Sequence, residues 1–353
     1  MVSQTAPSRP VARAVRWAIA AATWSAVAIT LVLLSMGHLW PDSVESLFAP
    51  LAWLGFAAFL AIAMQTPLGC GLAALGVLSG VLRCSRASAV ALTLGVLVLM
   101  PTLRRIFTPI SPIGNEPVFS VLSMNIEFSN ADVEPALAAI ALVNPDVVCI
   151  QEYNAIHEER LRPRLTQSHP HVFSVLRANN RGQAIFSKLP LSDARERPFA
   201  AGLWQAPPLT AIVHLPMGDV RVVAVHLPAP QGPDFVAENM RDCRELASMF
   251  MNYGRREWIV IAGDFNAPAN SEQVAELGRI GLEDAHRSRG SVRNRTWPAA
   301  GAAYTILGTH IDHILASREL KPMSAAVLGD VGSDHRPVIA TFTTPFAASP
   351  SAR

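Results

Sequence analysis

The feature that most constrains this chain is the absence of charge over long apolar stretches near its N-terminus. Trp17 to Met36 contains no Asp, Glu, Lys or Arg and is rich in Ala, Leu, Ile and Val. Its length matches the roughly 20 apolar residues that a helix needs to cross a bilayer. A secretory signal peptide is the alternative, but the run is long for one and more apolar segments follow it. Leu47 to Leu82 is a second uncharged stretch, too long for a single span. Gln65, Thr66, Pro67 and Gly69 interrupt it, so it reads as a tight helical hairpin. Ala87 to Met100 continues the pattern after Arg83 and Arg86, and Arg104 and Arg105 close it. Helices of a soluble core would carry polar faces, and these do not. Residues 1–105 are therefore expected to form a transmembrane module of three or four helices in a lipid bilayer. With four, positive-inside counting puts Arg9, Arg13, Arg16, Arg104 and Arg105 in the cytoplasm and Arg83 and Arg86 outside. With three, the rest of the chain lies outside.

Ile106 to Glu116, with Pro109, Pro112 and Gly114, reads as a linker. Residues 117–346 then form a globular domain, and 347–353 a tail. The overall 50% hydrophobic and 16% charged content reflects this fusion of an apolar N-terminal module with an ordinary domain. A net charge of +2 argues against a general nucleic-acid binder but leaves room for a local basic groove. The cysteines, Cys70, Cys84, Cys149 and Cys243, show neither zinc spacing nor a disulfide framework.

Within the globular domain, Phe119–Ile126, Asp146–Ile150, Gln183–Ser187, Leu209–Leu215, Val220–Leu227, Trp258–Ala262, Ile311–Ala316 and Val338–Thr343 read as strands. Val133–Val143 and Phe235–Met251 read as helices. Pro216-Met217-Gly218-Asp219 is a hairpin signal. Strands mixed with helices and hairpins predict a layered α/β domain with much antiparallel pairing.

Polar residues recur where these strands stop: Asn125, Glu152, His226, Asp264 with Asn266, Asp312, and Asp334 with His335. Strand ends are where a rigid scaffold presents reactive groups. Glu152 and Asp334 are hard oxygen donors suited to Mg²⁺ or Mn²⁺. Asp264 could orient or deprotonate a water. Asn125, Asn266, His226 and His335 could hold a phosphoryl group. Each residue alone has a bland explanation: a solvated strand end, an Asx turn, a core histidine, a cap. Eight such residues in one domain are harder to explain that way.

These segments resemble the endonuclease/exonuclease/phosphatase superfamily over roughly Phe119 to Phe342. Ser-Met-Asn125-Ile, Ile-Gln-Glu152, the segment from Gly182 through Ser187 to Leu191, Val-His226-Leu, Gly263-Asp264-Phe265-Asn266 with Pro268, Ile-Asp312-His313-Ile, and Ser333-Asp334-His335-Arg-Pro337 carry it, in the family's order. The resemblance implies the DNase-I-like four-layer α-β-β-α sandwich, with the site at one edge of the paired sheets. It also implies Glu152 as main metal ligand, with Asn125 and Asp334 nearby, and Asp264 as the group that activates water. His335 would act at the scissile phosphate, oriented by Asp312, and His226 and Asn266 would bind phosphate oxygens. The activity implied is metal-dependent hydrolysis of a phosphodiester, phosphomonoester or pyrophosphate. The Arg and Tyr cluster of duplex-binding members is missing; Arg177, Arg181 and Lys188 are the candidates left for substrate binding. Thr296-Trp297-Pro298 and the N-terminal helices resemble the membrane-anchored bacterial branch, which favours a catalytic domain outside the cytoplasm. Three readings follow: an enzyme acting on a lipid or lipid-linked phosphate, a membrane-tethered nuclease, and a binding protein on a dead fold. The complete residue set speaks against the last. His313, next to Asp312, is expected on the opposite face of its strand.

Overall fold

A computed structural model describes residues 9–38, 49–107, 119–200, 206–216, 218–251, 258–291, 295–301 and 308–343. Most of the linker expected at 106–116, the tail at 347–353 and Met217 of the expected hairpin turn lie outside these residues. The chain divides into two compact units between residues 108 and 109.

In the first unit, α1 (Arg9–His38), α2 (Ala49–Ala63), α3 (Gln65–Val81) and α4 (Ser85–Phe107) are the apolar helices. Val11–Met36 and Ser85–Phe107 are each long and apolar enough to cross a membrane; α2 and α3 together would make a third span, bent by 82°. The hairpin expected around Gln65–Gly69 is thus a right-angle break at Met64. Pro67 sits in the first turn of α3, where its missing N–H costs nothing. The antiparallel hairpin lies one helix later. Arg83, at φ 62°, turns the chain, and Cys84 N–H donates to Ser79 O at 2.8 Å, the 6→1 bond of a Schellman cap. Small residues then let α3 and α4 approach. A Cβ on Gly69 or Gly76 would meet Leu99 or Leu92 within 2.7 Å, and one on Gly95 the backbone of Ala73 at 2.9 Å.

In the second unit, alternation organises everything. The elements run β1 (Phe119–Asn125), α5 (Glu134–Val143), β2 (Val147–Gln151), α6 (Ala155–Arg160), α7 (Arg162–Leu165), β3 (His171–Val175), β4 (Gln183–Ser187), β5 (Leu191–Glu196), β6 (Leu209–Leu215) and β7 (Gly218–His226). They continue with α8 (Pro233–Phe250), β8 (Trp258–Asp264), α9 (Glu272–Arg279), β9 (Leu282–Asp284), α10 (Ala285–Arg289), β10 (Asp312–Ser317), β11 (Lys321–Val327) and β12 (Val338–Thr343). The described strands form two sheets, ordered β11-β12-β1-β2-β4-β3 and β5-β6-β7-β8-β10-β9. Phe119, Val121, Val147, Cys149, Val222, Ala224, Val260, Ala262, Ile314 and Ala316 form the core between the sheets. The alternate residues Leu122, Met124, Val148 and Ile150 pack outward against Ala136 and Ile140 of α5. On the other sheet, Asn239 of α8 donates to the Pro228 and Phe265 carbonyls at 2.9 and 2.8 Å. Two mixed sheets with flanking helices make this a DNase-I-like α/β sandwich.

Candidate active site

The inward phase of the central strands delivers the site. In the second sheet, β7 and β10 flank β8 with His226 opposite Asp264 and Asp312 opposite Asp264. These three residues therefore stand in one row, in the same phase as Ala224, Ala262 and Ile314 of the core. Asn125 ends β1 in the first sheet. Its Nδ2 spans the gap, donating at 3.1 Å both to Glu152 Oε1 and to Asp264 Oδ2.

Glu152 needs a backbone exception. Cys149 and Gln151 point inward from β2, so continued alternation would send residue 152 outward. Instead Glu152 adopts φ 63°, a left-handed conformation costly for a non-glycine residue. Its carboxylate then accepts from Phe128 N–H at 2.7 Å and lies 3.8 Å from His226 Nε2. Burial raises the Glu152 pKa against the lowering effect of these donors.

Gly263 allows the row to close. A Cβ there would stand 1.9 Å from the Val225 carbonyl oxygen, so any side chain would push β7 from β8 beside His226 and Asp264. Gly182 is similarly tight, 1.9 Å from the carbonyl of Tyr153, the residue after Glu152. Beyond Asp264 the chain turns at Asn266, φ 50°. Asn266 N–H donates to Asp264 Oδ1 at 2.8 Å, and its amide donates to Leu227 O at 2.9 Å and Asp264 Oδ2 at 3.3 Å. Asn266 thus fixes the turn that aims Asp264.

His335 comes from the loop between β11 and β12. Ser333 Oγ donates to Asn125 O at 2.8 Å and accepts from His335 N–H at 3.1 Å, which clamps that loop to β1. His335 Nδ1 faces both Asp312 oxygens at 3.0 and 3.2 Å, and Nε2 lies 3.6 Å from Asp264 Oδ2. Burial alone would lower the His335 pKa, but the charges of Asp312 and Asp264 overcome it and hold it at about 10. Asp264 is pushed up to about 6 by burial, against the pull of His335. His226 is lowered by burial, which disfavours its cation. A carboxylate that titrates at about 6, above its ordinary range yet ionised at neutral pH, thus sits beside a protonated imidazole.

Asp334 is exposed. Its Oδ2 accepts from Trp297 Nε1 at 3.1 Å, and its N–H donates to Glu127 Oε2 at 3.2 Å. Arg177 is drawn elsewhere: it pairs with Glu196 at 2.6 Å. Lys188 Nζ donates to Asn144 O at the end of α5. Sequence reading missed Glu127 and gave Ser333, Thr296 and Trp297 no role in the site although it picked out their motifs. Thr296 Oγ1 accepts from Ile311 and Asp312 N–H at 3.0 and 3.2 Å, pinning the start of β10. The Thr-Trp-Pro tripeptide was the one available signal for it.

Residues 122–335 match the Endonuclease/Exonuclease/phosphatase family. No curated protein matches the sequence. Among solved structures, humanized D. rerio TDP2 is similar with 19% identity and TM-score 0.55, covering 64% of this chain and 99% of that one. An endonuclease/exonuclease/phosphatase from Beutenbergia cavernae has 22% identity and TM-score 0.53, covering 65% and 72%. The 3′ phosphatase NExo from Neisseria has 21% identity and TM-score 0.52, covering 64% and 99%. At these identities the likeness establishes the fold.

Proposed function

The chain belongs to the endonuclease/exonuclease/phosphatase family, and on that premise we propose that it is a membrane-anchored, divalent-metal-dependent phosphoesterase. Members of this family are generally hydrolases of phosphate esters. The observation that carries the reading is the line Asp312–His335–Asp264 standing beside Glu152. Asp264 orients and deprotonates the attacking water. His335, held protonated by Asp312, meets the charge that develops on the phosphoryl oxygens or the leaving oxygen. His226 and Asn125 keep Asp264 and Glu152 apart and in place.

The donor set fits a hard cation. Glu152 and Asp334 offer carboxylate oxygens at the open end of the site, Asn125 an amide, and Glu127 adds a third acidic group, missed by sequence reading. Bound Mg²⁺ or Mn²⁺ would polarise a phosphoryl oxygen there. Burial disfavours the charge of Glu152, and such a cation would offset that.

The apolar helices support a bilayer anchor. α1 and α4 have the length and hydropathy of spans, and Trp17, Trp53, Val77 and Leu97 are each more than 45% exposed in the isolated chain, a surface that lipid would cover. Residues 1–105 then act as the membrane module, 106–116 as a tether and 117–346 as the enzyme. A tether of roughly ten residues keeps the site near the headgroups, which favours a lipid or lipid-linked phosphate as substrate. The test is a screen of the detergent-solubilised protein with Mg²⁺ or Mn²⁺ against lipid phosphates, lipid pyrophosphates, and single- and double-stranded DNA. Cleavage of DNA alone would replace this reading with that of a tethered nuclease. No metal-dependent cleavage of any of them would favour a binding protein.

Three further outcomes are expected. Turnover should rise with pH through about 6, as Asp264 loses its proton, and fall through about 10, as His335 loses its own. A profile flat from pH 5 to 8 would contradict the assigned roles. A fragment starting at Asn115 should be soluble, unfold cooperatively and hydrolyse a small soluble diester; aggregation would show that the apolar helices also pack on the domain. A reporter fused after Phe346 should report an extracytoplasmic location, and cytoplasmic reporter activity would reverse the sidedness.

A further inference from the structure

We infer that Asp284, His310 and His313 form a second metal site, of zinc type, on the face of β10 turned away from the catalytic row. Alternation separates the two places. Asp312 points between the sheets to His335, so His313 points outward. There its Nδ1 lies 3.0 Å from Asp284 Oδ2 and its Nε2 2.9 Å from the Ala267 carbonyl oxygen. Asp284 caps α10 with its other oxygen, accepting from His286 N–H at 2.8 Å, which leaves Oδ2 aimed at His313. The His310 ring centroid lies 4.9 Å from those of His313 and His286. One ligand atom from each of Asp284, His310 and His313 falls within 4.8 Å of the others.

The chemistry of this set differs from that around Glu152. Two imidazoles and one carboxylate suit a borderline cation such as Zn²⁺ rather than Mg²⁺. His313 is already oriented as a ligating histidine usually is. Donating Nε2–H to a backbone carbonyl fixes the tautomer that leaves Nδ1 for the metal. Zinc bonds of about 2.0–2.1 Å in a tetrahedron place ligand atoms roughly 3.3 Å apart, so His310, half-buried just before β10, has at most about 1.5 Å to close. The present His313–Asp284 ion pair is the proton-bound form of the same site. Zn²⁺ replaces the Nδ1 proton, which leaves to solvent, and water takes the remaining position.

Such a clip would join β9, α10 and β10, and through Ala267 O it would brace the turn that carries Asp264 and Asn266. The ion would lie beneath the catalytic row and away from the phosphoryl group, and its readouts are metal uptake and unfolding rather than hydrolysis.

The test uses the full-length protein in detergent with saturating Mg²⁺ and titrates Zn²⁺ against a chromophoric chelator, with thermal unfolding in parallel. Wild type and Glu152→Gln are expected to take up Zn²⁺ and gain thermal stability. His310→Ala, half-exposed and so least disruptive to folding, should lose at least tenfold in Zn²⁺ affinity and most of the thermal shift; Asp284→Asn should do the same if it folds. The inference is overturned if wild type takes up no Zn²⁺, or if His310→Ala binds as wild type does. It is equally overturned if Glu152→Gln abolishes Zn²⁺ uptake, because the ion would then sit in the catalytic row.

Discussion

Glu152→Gln is expected to abolish metal-dependent turnover while the domain still unfolds cooperatively. The substitution keeps volume and shape, and the glutamine carbonyl can still accept from Phe128 N–H, now at 2.7 Å. What disappears is one negative charge at the open end of the site. Burial raises the Glu152 pKa, so the carboxylate is a cost to the empty fold rather than a support, and its neutral isostere should leave stability within about 1 kcal/mol, like most substitutions without a named packing defect. Activity should respond differently. A Lewis acid at the phosphoryl oxygen is worth several kcal/mol, so its loss should lower turnover by roughly 10² to 10⁴ at about 1.4 kcal/mol per decade. Raising Mg²⁺ should recover little. Wild-type turnover in folded Glu152→Gln protein would remove Glu152 from the metal site.

Asp312→Asn should produce a comparable fall for another reason. Asp312 meets His335 Nδ1 with both oxygens, and Asp264 meets Nε2 more loosely at 3.6 Å. Asparagine removes the charge that holds His335 protonated and offers an amide that can present its NH₂ to the ring, favouring the wrong tautomer. Loss of general acid–base catalysis costs roughly 10² to 10⁴ in rate. The alkaline limb of the pH profile should also move down from about 10, while apparent metal affinity changes little. An unmoved alkaline limb would show that Asp312 does not set His335. The neighbouring His313 is a poorer comparison than its opposite face suggests. It is fully buried and bonded to Asp284 and Ala267. His313→Ala would leave Asp284 buried with its main partner gone, a change that costs roughly 3–5 kcal/mol in such pairs. Its effect should therefore appear in denaturant unfolding more than in the turnover of folded protein.

The strands read from the sequence are β1, β2, β4, β6, β7, β8, β10 and β12, all interior to their sheets. The four that were missed, β3, β5, β9 and β11, are the four sheet edges. An interior strand is covered on its faces and writes that burial as an apolar run; Gln183–Ser187 is buried throughout. An edge strand such as Leu191–Glu196 is largely exposed and carries no such record. The hairpin misplaced at Gln65–Gly69 has a similar origin. Polar and small residues there looked like a turn, yet Gln65 donates to Val98 O and Thr66 meets Thr102 within the helix packing.

The sequence by itself determined the division into an apolar N-terminal part and a globular part, the interior strands, and the identity of the groups at their ends, because charge content and alternation are local properties. Only the tertiary structure decided which of those groups meet. Asn125 reaches Asp264 across 139 positions and His335 reaches Asp312 across 23, distances at which side-chain pattern carries no information and sheet register carries all of it. It also decided that Arg177 turns to Glu196, that Asn266 is spent on its own turn, and that Glu152 leaves the alternation of β2 through a left-handed residue. The Asp284–His313 pair was equally unreadable, because each residue looks unremarked in its own segment until pairing of β9 with β10 brings the two segments side by side.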